Sequence, residues 1–272
     1  MHTNRRAHET RYREQGFSAI ELLIAVVLLM AVLGVVVKGM TDMQRRSFSE
    51  TSKIDSVQNA RDFIDQMVRD VHDVGYPPPR VVVNANPYCT DALANGVPNA
   101  AVMNNPSIAC GIIQFSPTTV VYEADLDGSG TVSTISLNLQ PGPGNTCPCI
   151  LRRGVLTKQN WLNGQPILFF TTVNGVLNSG NGAGAATYPI NLGGPGNYAS
   201  YSTSDVFAAF DANALQVGAC SLGAFGTPVA TIPDCSQIRS LQIAVNVAPA
   251  YTDPTTKQFP VYSITSKARI NF

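Results

Sequence analysis

An α+β chain is predicted: one long N-terminal α-helix, then an antiparallel β domain with long loops tied by disulfides. Three observations predict it. An apolar run at Phe17–Val37 passes into a pattern of apolar residues every three or four positions that lasts to Val74. Beyond Pro77-Pro78-Pro79 the apolar period falls to two. Charge divides the same way, since residues 1–80 hold 21 of the 36 charged side chains and the other 192 residues share 15. The overall charged share of 13% is about half of the roughly 25% usual for soluble domains. The β domain therefore relies on uncharged polar groups for solubility.

The first element is a basic leader, residues 1–16, with Arg5, Arg6, Arg11 and Arg13 against Glu9 and Glu14. The span Phe17–Val37 follows, 21 residues that are apolar except for Ser18 and Glu21. At 1.5 Å per residue, about 20 residues cross a bilayer core. The leader's Arg excess puts the N-terminus in the cytoplasm and the bulk of the chain outside. An ordinary secretory signal would have a shorter apolar region and a small-residue cleavage site, whereas Val37 is followed by Lys38-Gly39-Met40. A plain signal anchor leaves Glu21 unexplained, because a carboxylate inside a membrane helix costs about 2.5–3.5 kcal/mol. Snorkelling of Glu21 to the near headgroups is the bland alternative.

Residues 38–76 continue the helix as an amphipathic stripe through Met40, Met43, Phe48, Ile54, Val57, Ile64, Met67, Val68, Val71 and Val74. Ion-pair rungs are expected at Arg61/Asp65, Asp65/Arg69 and Arg69/Asp73, each i,i+4. The group Asp62, Asp65, Asp70, His72 and Asp73 then reads as a solvated helix face, since no Cys/His cluster completes a metal-ligand set. Gly75 and the three prolines end the helix.

Residues 77–272 form the β-rich globular domain. Strands are expected at Arg80–Asn84, Ile112–Phe115, Thr119–Asp125, Val132–Leu139, Ile150–Val155, Ile167–Val173, Ile238–Val247 and Val261–Phe272. The clean alternation of residues 240–247 is that of an antiparallel sheet with one buried face. The Gly/Asn-rich stretch 173–204 reads as a surface excursion, either a variable connection or an exposed contact or glycan-bearing loop.

The segment Gly16-Phe17-Ser18-Ala19-Ile20-Glu21-Leu22-Leu23 resembles the class III signal of type IV prepilins: a basic leader ending in Gly, then Phe, then Glu as the fifth mature residue, then the apolar helix. The helix-then-sheet layout resembles the pilin fold and, more loosely, larger minor pilins of the PilW kind. The resemblance implies that a prepilin peptidase cuts after Gly16 and methylates Phe17, leaving a mature chain of net charge −2. It implies that Glu21 meets the α-ammonium of a neighbouring subunit in an apolar filament core and sets that subunit's register. The implied partners are the peptidase, other pilins or pseudopilins along the N-terminal helix, and an inner-membrane assembly platform. The implied location is the bacterial inner membrane, with the globular domain periplasmic and later at the cell surface. The implied role is a minor pilin, with a pseudopilin of type II secretion as the alternative.

The six cysteines, Cys89, Cys110, Cys147, Cys149, Cys220 and Cys235, all fall on the outer side, where thiols oxidise. Proximity suggests Cys89–Cys110 and Cys220–Cys235. Cys147-Pro148-Cys149 is either a small-ring disulfide or two partners for other cysteines, and the spacing is poor for zinc. The stretch Asp125-Leu-Asp127-Gly128-Ser129-Gly130 has oxygen ligands at alternate positions and a glycine for a sharp turn, the opening of a calcium loop. Position 12 is Ser136 rather than Glu, so a plain Asp/Gly hairpin turn competes with calcium.

Other functions find little material. Net charge is zero, leaving no basic excess for a nucleic acid. Two of the three His lie in the leader and the third, His72, on the helix, so nucleophile–His arrangements lack a base and no enzyme is expected. A carboxylate pair among Glu123, Asp125, Asp205 and Asp211 is the one residual enzymatic arrangement.

Overall fold

Ser18 opens the described chain and the helix it introduces sets the first architectural fact. The computed structural model describes residues 18–77, 89–91, 97–98, 103–180, 187–193, 196, 198–221 and 235–270. The expected strand at Arg80–Asn84 lies outside them, as do Gly16 and Phe17. The chain divides into two compact units, Met1–Ser47 and Phe48–Phe272, and α1 (Ala19–His72, 54 residues) contributes to both.

In the first unit every described side chain is exposed, as an all-round apolar helix must be when its own chain supplies no cover. In the second unit α1 buries Ala60, Phe63, Ile64, Met67 and Val71, and Val74 follows just beyond its end. These recur at three- and four-residue spacing and pack into one core with the sheet. The expected amphipathic stripe is covered by the chain along only part of its length. Met40, Met43, Phe48 and Ile54 are 55–75% exposed, and the apolar stripe is buried only from Ala60 onward.

The turn out of α1 is a junction with the sheet. Gly75 takes φ +80°, a left-handed conformation that costs glycine little. Its N–H donates to the Glu123 carbonyl at 2.9 Å, and Val74 forms an antiparallel bridge to Ala124.

Among the described residues, ten strands build one antiparallel sheet. β1 (Thr90–Asp91) and β2 (Val97–Pro98) form a separate small hairpin. The meander β3 (Ile112–Ser116), β4 (Thr119–Ala124), β5 (Ser133–Gln140), β6 (Cys149–Thr157) and β7 (Phe169–Val176) pairs neighbour with neighbour. A one-turn helix, α2 (Lys158–Leu162), leads from β6 toward β7. β8 (Phe207–Phe210), β9 (Gln216–Val217) and β10 (Cys220–Ser221) precede β11 (Ser240–Val247) and β12 (Tyr262–Arg269). β10 returns to pair with β3, and β11 lies between β8 and β12. β7 meets β11 at one residue pair, Val176 opposite Val247.

The Gly/Asn-rich stretch needs a correction. Its opening is buried: β7 runs to Val176, and Leu177, Asn178 and Ser179 have no exposed surface. Asn178 uses both amide N–H bonds and its carbonyl oxygen, donating to the Asp205 and Ala244 carbonyls at 3.2 and 3.0 Å and accepting the Asn246 N–H at 2.7 Å. A buried amide with no polar atom left unpartnered ties three segments together.

Candidate functional site

At the start of α1, Ser18 and Glu21 form a reciprocal cap. The Glu21 carboxylate accepts the Ser18 N–H at 3.1 Å, and the Ser18 hydroxyl accepts the Ile20 N–H at 3.4 Å. The spacing is that of a capping box, with Ser at the N-cap and Glu three residues later. The signal stands in the sequence as Ser-Ala-Ile-Glu, and attention to the burial cost of Glu21 alone passes over it. The carboxylate also sits at the positive end of the helix dipole, a favourable place for an anion. Beyond it Leu22, Leu23, Leu28, Leu29, Met30 and Val35 are 60–74% exposed. Among the described residues α1 is the one helix long and apolar enough to cross a bilayer.

The Asp cluster on α1 is corrected in part. Asp70 is buried, not solvated. Its Oδ2 accepts from Tyr122 Oη at 2.9 Å and from Arg153 Nε and Nη2 at 3.1 and 2.7 Å. Burial, and then the Asp70 charge, push the Tyr122 hydroxyl well above its usual range. None of the three i,i+4 rungs is among the ion pairs of the described residues. Asp70 instead fastens α1 to the sheet through residues 52 and 83 positions away.

Adjacent residues on a strand point to opposite faces, and β4 uses both. Tyr122 faces Asp70, while Glu123 turns the other way, to Lys158. Lys158 Nζ lies 2.8 Å from Glu123 Oε2 and donates to the Ile108 carbonyl at 2.7 Å, with no surface of Lys158 exposed. The Cys110 N–H also donates to Glu123 at 2.8 Å. Burial pushes the Glu123 carboxyl up, and the Lys158 ammonium and the Cys110 N–H pull it partly back. A buried pair with its remaining bonds satisfied is tolerable, and either partner alone is not.

Cys89 bonds Cys110, Cys147 bonds Cys149 and Cys220 bonds Cys235. The first of these sits beside the Glu123–Lys158 pair and the last spans the connection from β10 to β11. Of the four carboxylates in the residual enzymatic arrangement, Glu123 is held by Lys158, and Asp211 accepts Asn213 and Leu215 N–H groups in its own turn. Asp205 lines a cavity of about 290 Å³ with Phe115, Phe207 and Val217. Asp125, Asp127 and Ser129 share the turn between β4 and β5. Asp125 accepts the Gly130 N–H at 2.8 Å, and Asp127 accepts the Ser129 N–H at 3.1 Å. Ser136 pairs with Val121 inside the sheet, which removes position 12 of the calcium pattern from the turn.

No family model matches this chain, and comparison with curated proteins and with solved structures likewise yields no match.

Proposed function

We propose that the chain is a minor pilin, a structural and assembly subunit of a type IV pilus that is cut after Gly16 and inserts its apolar helix into the filament core. The observation that carries this reading is the segment Gly16–Leu23 with a single carboxylate at Glu21, directly ahead of an apolar helix that its own chain leaves uncovered. An all-apolar surface needs lipid or neighbouring apolar helices. A helix with one carboxylate near its start can pass between the two, with the charge matched by the α-ammonium of Phe17 in an adjacent subunit.

Glu21→Gln separates charge from capping, because Gln at the same position retains the capping-box hydrogen bond. The variant is expected to insert in the membrane and to be processed, while its amount in sheared filaments falls at least about tenfold for an unmatched buried ammonium. Glu21→Ala is expected to do the same. Normal filament incorporation of Glu21→Gln would leave the carboxylate as a helix cap and defeat the registration role.

A further inference from the structure

The turn between β4 and β5 contains two carboxylates, and one of them is buried with an oxygen left unpartnered. Asp125 is 6% exposed. Its Oδ2 accepts the Gly130 N–H across the turn, which aims the carboxylate inward. Its Oδ1 is shielded from solvent and has no hydrogen-bond partner. A buried acceptor left in this state costs free energy of the order of a lost hydrogen bond or more. Asp127 adds a second charge against the first. It accepts the Ser129 N–H at 3.1 Å. No ion pair among the described residues involves either Asp.

We propose that residues 125–131 bind a calcium ion, with Asp125 Oδ1, the Asp127 carboxylate and the Ser129 hydroxyl as protein ligands. The oxygens stand at alternate positions of the chain, and the Thr131 carbonyl occupies the next place in that series. Gly130 follows the third ligand with φ +83°, the left-handed bend such a loop requires. Hard oxygen donors without nitrogen or sulfur suit calcium, and an irregular, partly water-filled shell suits it better than the rigid octahedron of magnesium. Because position 12 is a serine held in β5, no bidentate carboxylate closes the shell. Affinity is then on the order of 10⁻⁴–10⁻³ M, the range of extracellular modules.

The ion would act at a joint of the second unit. The Asp125 N–H donates to the Tyr76 carbonyl at 3.0 Å, and Ala124 bridges Val74 just beyond α1. Calcium neutralises the carboxylates where the chain leaving α1 meets β4. This inference stands independently of the pilin reading.

Calorimetric titration of the full chain in detergent with CaCl2 is expected to give one site in that range, and millimolar CaCl2 to raise the melting temperature over chelator. Asp127→Asn keeps the Ser129 N–H acceptor at an exposed position. It should lose the calcium-dependent rise over its own chelator baseline and weaken binding by about tenfold or more, as expected from the loss of one ligand charge. Absence of binding at millimolar calcium, an undiminished rise in Asp127→Asn, or an equal rise with MgCl2 would each overturn the calcium assignment.

Discussion

The two ends of α1 are one continuous helix with opposite fates. Between Ile20 and Met43 its large apolar side chains are 42–75% exposed, whereas Phe63, Ile64, Met67 and Val71 are 1–4% exposed. The N-terminal end is apolar on every face, and the C-terminal end confines fewer apolar residues to one stripe among Arg61, Asp62, Asp65, Arg69 and Asp73. A stripe can be covered by one sheet, but an apolar cylinder needs a surrounding medium. Each end also carries a carboxylate in apolar company. Asp70 finds Arg153 and Tyr122 within its own chain. Glu21 is bonded by the Ser18 N–H of its own helix, and on the proposed function its counter-charge comes from another subunit.

The sharpest way to break the comparison is to truncate one apolar side chain at each end. Phe63→Ala removes a 3%-exposed ring from the core and should cost about 3–5 kcal/mol. Leu28→Ala, at a 62%-exposed position, should stay within about 0.5 kcal/mol for the detergent-solubilised protein. Denaturant unfolding followed by circular dichroism measures both. Equal losses would mean that the N-terminal end is also packed against its own chain.

A smaller effect separates charges that look alike in sequence. Arg153→Met leaves the Asp70 carboxylate with the Tyr122 hydroxyl alone and should cost about 2–3 kcal/mol. Asp65→Ala, on the same helix, should change stability by no more than about 0.5 kcal/mol. The same denaturation assay decides. A loss at Asp65 as large as at Arg153 would restore the solvated, rung-paired helix face that the sequence suggests.

Legibility followed the range of the forces involved. The long helix was legible because length and apolarity are local, and the paired strands from Ile112 to Arg269 because alternation is local too. Strands of two to four residues at 207–210, 216–217 and 220–221 carry too short a pattern to register. The Asp70–Arg153 and Glu123–Lys158 pairs were not legible. Their partners lie 83 and 35 residues apart, and only the sheet register brings them together. Asn178 was hidden differently: Gly and Asn around it signal a surface loop, while its amide is spent inside the protein. The Ser18/Glu21 cap is the opposite case, a four-residue signal in plain view that a larger question about the same carboxylate obscured.

Between the two ends of α1, residues 49–53 are held by a turn of the chain between β11 and β12, and its strength sets the smallest expected effect. The Ser49 hydroxyl donates to the Thr252 carbonyl, the Ala250 N–H donates to the Ser52 hydroxyl, and Lys53 Nζ reaches Asp253 at 3.1 Å. The Thr256 and Thr255 N–H groups, followed by Lys53, hold the Asp253 carboxyl down to about 2 from its usual 3.8. A carboxyl with a depressed folded-state value stabilises the fold above the unfolded value and loses that contribution as pH falls. Asp253 therefore supports the clasp above pH 3.8 and ceases to do so as the pH drops through about 2. Asp253→Asn should melt slightly below the parent at neutral pH, by far less than Phe63→Ala, since the group lies half-buried at the surface and is screened by solvent. The gap between the two melting temperatures should close as the pH is lowered through that window. A gap that stays constant across it would show that the clasp holds α1 through its backbone bonds and hydroxyls alone, with the Lys53–Asp253 charge pair contributing nothing.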